Sequence, residues 1–327
     1  MRVLITGAGG FIGRKLTEAL LAEGNLAGSN GKASAVSKLV LVDRVAVAPP
    51  RSVSVGIEVV AGDLAEAGFA ERLAGQHFDS VFYLAATLTH EAERDPVGAY
   101  ATNVEPLRRF IDTVSGPAPR LVFTSSIAVF GGALPATVGD DPKPRPQTTY
   151  GAHKAIAELL LADHSRHGRI DGRALRLPII LVRGGASTPA VSDQIAAIVR
   201  EPLAGRNVVS GLAPQTRLPV ASARAAAAAL IALHNQPPAV MPNDRAMNLP
   251  ALTVTVSEMV KAVERHGGKE AAARIAFAPN ARLQAIVDGW PKQFVSETAT
   301  RLGLRSDANF DAIVADHLAD RRHGQNA

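Results

Sequence analysis

Tyr150 and Lys154 stand four residues apart in the run TTYGAHK, and Ser126 lies twenty-four residues before the tyrosine in FTSSIAVFG. Residues at i and i+4 share one face of a helix, so a phenol and an ammonium can reach the same point in space. A free tyrosine has a pKa of about 10 and is a poor base at neutral pH. A lysine cation close by favours the phenolate. A serine hydroxyl can hold a substrate oxygen while the phenolate takes its proton. The trio Ser126, Tyr150 and Lys154 therefore suits alcohol oxidation, provided a hydride acceptor is bound alongside.

The seat for such an acceptor lies at the other end of the chain. Residues 2–6 (RVLIT) read as a short buried strand, and TGAGGFIGRKL follows without a break. Gly7, Gly10 and Gly13 form G-x-x-G-x-x-G, and Leu16, Ala19 and Leu20 continue at helical spacing. Glycines at a strand-to-helix turn let a pyrophosphate approach the helix N-terminus, whose free N–H groups and dipole favour anions. The stricter G-x-G-x-x-G needs glycine at Ile12, so this run is a variant of the dinucleotide fingerprint. A glycine triplet alone also describes an ordinary turn; the strand before it and the helix after it favour the dinucleotide site. Residues 38–43 (KLVLVD) read as the second strand, ending in Asp43. A carboxylate there binds the ribose 2′-hydroxyl of NAD and repels the 2′-phosphate of NADP. Asp43 comes thirty residues after Gly13, later than the usual spacing of about twenty, and the stretch 24–37 accounts for the delay as an inserted loop. Arg44 can instead welcome a phosphate, and the bland alternative for Asp43 is a turn cap. NAD is the expected cofactor.

The elements that must position these groups alternate as a doubly wound α/β fold does. Strand-like runs at 57–61, 79–84 and 120–124 are followed by Asp63, Ala85, Ser125 and Ser126. Ligands of such sheets gather at the carboxyl ends of the strands. Asp95 and Pro96 give an N-cap and first-turn proline to one helix with the stripe Tyr100, Val104, Leu107, Ile111 and Val114. Residues 1–177 are expected to form a Rossmann-like parallel-sheet domain that binds the cofactor. Residues 217–249 should return to it through an Ala-rich helix at 221–234 and a last strand near 246–249. Residues 178–216 and 250–327 should build a smaller C-terminal α+β substrate lobe, with helices at 257–265 and 310–318. The run 135–146 holds four prolines and reads as a loop that can border the site.

Composition narrows the function classes. Over 327 residues, 47% are hydrophobic and 20% charged, which describes an ordered globule with a sizeable core. No cysteine is present, which removes disulfides, thiolate chemistry and cysteine metal sites. No spacing of His, Asp and Glu supports a metal. The net charge of +5 is spread along the chain and aromatics are only 4%, so nucleic acid is not the expected partner. No apolar span reaches membrane length, and the apolar start is a strand running into the glycine turn rather than a leader, so a cytoplasmic enzyme is expected. His90 and His153 are tempting acid/base groups. His153 points about 100° away from Lys154 around the helix and is expected to face solvent or a partner.

TGAGGFIG, Asp43, GDL at 62–64, LAA at 84–86, Asn103, SSIAVFG and YGAHK together resemble the extended short-chain dehydrogenases/reductases, which include nucleotide-sugar epimerases and dehydratases. The resemblance covers nearly the whole chain. It implies Ser126, Tyr150 and Lys154 as the catalytic trio, with Lys154 also on the nicotinamide ribose. It further implies an NAD site lined by Gly7, Gly10, Phe11, Ile12, Gly13, Asp43, Asp63, Leu64, Leu84, Ala85, Asn103 and Pro178. Ser125 is implied to lie within reach of cofactor or substrate. Phe130 replaces the tyrosine usual before the glycine.

The second half departs from the nucleotide-sugar enzymes. Where those usually carry an asparagine three residues past the arginine, Arg176 is followed by Leu177, Pro178 and Ile179. The runs LRLPIILVRGG, IVREPLAG, MNLPALTVTVSEM and IVDGWP resemble a subgroup that oxidises a four-carbon sugar acid at C2 with NAD. The implied reaction is D-erythronate to 2-dehydro-D-erythronate. A carboxylate substrate needs a cation, and Arg217 and then Arg183 are the candidates, each with a surface salt bridge as its ordinary alternative. A nucleotide-sugar epimerase or dehydratase and a non-catalytic NAD(H) sensor are the other readings. The intact trio speaks against the sensor. Apolar residues on several sides of the helix bearing Ile156, Leu159, Leu160 and Leu161, with Phe110 expected exposed nearby, lead to the expectation of a homodimer, which the resemblance also implies.

Overall fold

The computed structural model describes residues 1–29, 31–50, 52, 54–182, 188 and 190–322. Short, almost wholly apolar runs such as Val3-Leu4-Ile5 and Leu39-Val40-Leu41-Val42 are buried, as strands covered on both faces must be. Seven strands form one parallel sheet: β1 (Arg2–Thr6), β2 (Lys38–Asp43), β3 (Gly56–Ala61), β4 (Ser80–Tyr83), β5 (Arg120–Ser126), β6 (Asp171–Leu177) and β7 (Ala246–Asn248). Their order is β3-β2-β1-β4-β5-β6-β7, every neighbouring pair parallel. The order reverses between β1 and β4, which opens a crevice at the carboxyl ends of these strands.

Helices cover both faces. On one side α1 (Phe11–Glu23) sets Leu16 and Leu20 against Ala226 and Leu230 of α6 (Ala223–Asn235). On the other lie α2 (Phe69–Ala74), α3 (Pro96–Asn103), α4 (Glu105–Thr113) and α5 (Thr149–Arg166), with Leu73, Phe110, Ala157 and Leu161 in the core. α1 ends at Gly24, whose φ of 68° is the left-handed conformation that stops a helix and turns its N–H back to Leu20 O. At the opposite end of the sheet from the crevice, Asp171 gathers Arg120, Arg173 and Arg245. Arg173 also donates to the carbonyls of Leu233, His234 and Gln236, closing the C-terminus of α6.

A smaller lobe follows β6. Strand Ile179–Leu181 pairs parallel with Arg217–Ser222, which pairs antiparallel with Leu252–Thr255. Helices Val191–Leu203, Val256–Ala272 and Phe310–Arg322 close a core around Ile195, Leu218, Met259 and Val314. No helix among the described residues is long and apolar enough to cross a membrane.

Four local differences from the sequence reading have physical causes. The stretch 24–37 is a hairpin of Asn25–Ala27 with Ala33–Ala35, anchored by buried Leu26 and by Ala27 N–H donating to Asn235 Oδ1 at 2.8 Å. The helix expected past Asp95 breaks at Val104, because Pro106 has no N–H to continue the ladder. Phe110, expected at the surface, is 1% exposed and packs edge-on to Tyr83. Residues 217–222, expected to return with the rest of 217–249 to the cofactor domain, pair within the lobe's sheet; α6 starts at Ala223, where Ser222 caps it by accepting from Ala225 N–H.

Candidate active site

The glycine turn folds back on itself at the end of β1. Gly7 has φ of 70°, and a Cβ there would lie 2.9 Å from Ala85 N; one on Gly13 would lie 2.3 Å from Gly7 O. Only hydrogen fits at either place. α1 starts with Gly10 as N-cap and no side-chain cap, which leaves backbone N–H groups for an anion. Asp43, at the end of β2, accepts from Gly9 N–H (2.9 Å) and Arg44 N–H (2.8 Å). Its carboxylate is thereby held beside the turn. These are the features a dinucleotide needs: a cradle without side chains, open N–H donors and a fixed acid at the second strand.

The candidate reacting groups sit on β5 and α5. Thr148 caps α5 by accepting from Gly151 N–H at 3.1 Å. A Cβ on Gly151 would fall 2.0 Å from Ala128 O, so glycine lets the first turn of α5 lie directly on the chain leaving β5. Ser126 Oγ accepts from Ala128 N–H at 3.1 Å and is hydrogen-bonded to Tyr150. Lys154 is buried, donates from Nζ to Thr124 O at 2.7 Å, and lies 4.4 Å from the Phe123 ring centroid and 5.5 Å from that of Tyr150.

The electrostatics differ from the simple expectation. Burial pushes the Tyr150 phenol up to about 12, and the Ser126 hydrogen bond only partly opposes it. Burial pulls the Lys154 ammonium down to about 7, against the carboxylate of Glu158 one turn further on. The lysine was expected to lower the tyrosine. Burial of the phenol dominates instead, while the ammonium donates to the Thr124 carbonyl, and in the free protein the phenol keeps its proton.

One cleft of ≈ 380 Å³ gathers most of the expected residues. Ser126, Tyr150 and Lys154 line it, as do Gly7, Gly10, Phe11, Ile12, Gly13, Asp43, Asp63, Leu64, Leu84, Ala85, Ser125 and Pro178. Asn103, expected on the cofactor, is not part of that lining. It is buried behind the wall, where its amide accepts from Thr87 N–H (2.7 Å) and donates to Thr87 O (3.0 Å), fixing the loop that does face the cleft. Arg217, expected on a substrate carboxylate, is exposed, lies outside the lining and acts on Glu258. Arg183 lies outside the described residues. Ser125 lines the cleft but donates its proton to Glu158 Oε1 at 2.5 Å. His153 is buried rather than facing solvent: it packs edge-on to Tyr100, 3.4 Å from the Asn103 amide, and burial lowers its pKa. His90 is exposed.

Sequence reasoning missed Thr87 and Thr89, which follow the end of β4, and Ala190, Val191, Ser192 and Trp290 of the lobe, all of which line the same cleft. The strand-end rule covers the threonines. Trp290 is the single tryptophan of the chain, and nothing local ties it to residues so far away in sequence.

The profile of the NAD-dependent epimerase/dehydratase family matches residues 3–246. The chain belongs to that family. Within it, the chain is 40% identical to a D-erythronate dehydrogenase of Cupriavidus necator over 98% of both lengths. A protein of the same name from Haemophilus influenzae is 33% identical over 97% of this chain and 99% of that one. A solved structure described as a nucleoside-diphosphate-sugar epimerase from Agrobacterium tumefaciens matches with a TM-score of 0.92 and 36% identity, covering 99% of this chain and 95% of that one. The fold is shared by an L-threonine dehydrogenase of Cupriavidus necator in its holo form, at a TM-score of 0.80 and 23% identity, over 98% and 99% of the two chains. The seven-stranded parallel sheet and the glycine turn described above make a Rossmann-like fold.

Proposed function

We propose that this chain is an NAD-dependent dehydrogenase of a small sugar acid, oxidising D-erythronate at C2 to 2-dehydro-D-erythronate. The observation that carries this reading is the likeness, over nearly the full length of both chains, to relatives named for that activity, with Ser126, Tyr150 and Lys154 meeting over one cleft. NAD fits the cradle described above, with Asp43 on the ribose and Lys154 near the reacting end. When bound, the cofactor supplies a hydride acceptor and a formal positive charge that favours phenolate.

In this reading Ser126 orients the C2 hydroxyl, and Tyr150 removes its proton as the C2 hydride leaves. A phenol held near 12 in the free protein is a donor first, so the same group serves as general acid in the reverse reaction. Lys154 stays fixed by Thr124 O and lends its charge to the phenolate when the tyrosine is deprotonated. Arg217 has no part in this reading. NAD is preferred to NADP because of the Asp43 carboxylate, and the working unit is a homodimer.

A second reading, epimerisation of a nucleotide sugar, is favoured by the description of the Agrobacterium structure. It uses the same trio but returns the hydride to the substrate. Incubation with NAD and a panel of four- to six-carbon sugar acids separates the two. The dehydrogenase reading expects NADH to accumulate with D-erythronate; interconversion of a nucleotide sugar without NADH supports the epimerase instead.

A further inference from the structure

Ser125 and Ser126 are adjacent on β5 and their hydroxyls serve different partners. Ser126 meets Tyr150, whereas Ser125 donates to Glu158 Oε1 at 2.5 Å. An ionised carboxylate only accepts, so the one proton of Ser125 is committed to that bond. Glu158 is 5% exposed and receives two further bonds from Arg176, Nε to Oε1 at 2.9 Å and Nη2 to Oε2 at 2.8 Å. Arg176 is 2% exposed, lies 5.2 Å from the Phe130 ring centroid, and stands in register with Ser125 across β5 and β6.

Glu158 also follows Lys154 by one helical turn and Tyr150 by two, on the same helix. Its carboxylate is therefore shared among the reacting strand, the neighbouring strand and the charge of the reacting lysine. A buried ion pair is a poor device for stability, because apolar residues of similar size usually do as well. Its value lies in position.

We propose that Glu158, clamped by Arg176, is a positioning residue of the reaction: it fixes the end of β5 through the Ser125 hydroxyl and supplies the negative charge that keeps the Lys154 ammonium charged beside Tyr150. The inference rests on the dehydrogenase reading above. The groups that face Lys154 are few. Its own helix brings Glu158 and the Tyr150 ring, β5 brings the Thr124 carbonyl and the Phe123 ring, and β6 brings Arg176 behind Glu158. With burial pulling the ammonium down and Glu158 opposing it, loss of the carboxylate charge releases the Lys154 proton at lower pH.

Glu158→Gln keeps the shape and an acceptor for Ser125 but removes the charge. Assayed with NAD and D-erythronate, it should lose on the order of 10–100-fold in kcat, while KM and NADH affinity stay within about threefold. The alkaline limb of its pH–rate profile should move to lower pH. Wild-type kcat and an unmoved limb in the folded variant would overturn the proposal. Should Glu158→Gln not fold, Ser125→Ala decides. It leaves the charge in place, so kcat should fall several-fold with the alkaline limb unmoved, and wild-type kcat would overturn the positioning role. Failure of the underlying reading looks different: the wild-type protein itself then forms no NADH.

Discussion

In the proposed reaction the chemistry is concentrated at Tyr150, which its spacing of one helical turn from Lys154 made a candidate in the sequence. Tyr150→Phe should leave NADH binding within about twofold and lower kcat by about 10²–10⁴-fold, as measured by fluorescence titration and steady-state assay. Turnover within a few-fold of wild type would remove the tyrosine from its role. Asp43→Ala should narrow the preference for NAD over NADP, read as the ratio of the two kcat/KM values. Equal efficiencies in the wild type would contradict that assignment. Arg217→Ala should change kcat/KM toward D-erythronate by less than about fivefold, since an exposed cation acting on Glu258 is a weak contributor. A loss of a hundredfold would return Arg217 to the site. The sequence showed Arg217 as a cation in a suggestive run, but which way a strand residue faces depends on its partner strands. Side-chain partners were hidden in the same way: Asn103 holds the Thr87 backbone, and Ser125, which does line the cleft, donates to Glu158, with no local signal for either pairing.

At the scale of elements, the strands and their carboxyl-end residues were legible because each is a local run with a local signal. The breaks were less so. The hairpin of Asn25–Ala27 with Ala33–Ala35 depends on a site for Leu26 that only the folded sheet provides. The start of α5 carries the sharpest test at this scale. Gly151→Ala would put a methyl 2.0 Å from Ala128 O, and the clash should cost about 1–3 kcal/mol in urea unfolding together with most of the activity. Unchanged stability and activity would show that α5 does not need this close approach. Thr148→Ala removes the side-chain cap and should cost about 1 kcal/mol, with KM little changed.

For the whole molecule, the composition and strand–helix alternation were enough for the doubly wound sheet. The exact return of the chain from the lobe was not, because Arg217–Ser222 has the same apolar pattern whichever sheet it joins. Buried histidines give a global pH dependence. Burial takes His234 down to about 3 and His317 to about 4, so the unfolded chain binds these protons at higher pH than the folded one. Their contribution is therefore complete above about 6.5 and is lost as pH falls toward the folded values, which scanning melts between pH 8 and 5 should show as a falling Tm. The proposed dimer draws on Val97 and Tyr100 of α3 and Ile156 and Leu159 of α5, which stay exposed in the single chain. Light scattering at micromolar concentration should give twice the monomer mass, and a monomer alone would contradict it. The central claim, hydride transfer from C2 of a sugar acid to NAD, is tested most directly with D-erythronate deuterated at C2. The account predicts reduced cofactor that carries the deuterium alongside 2-dehydro-D-erythronate; unlabelled NADH, or no NADH at all, would contradict it.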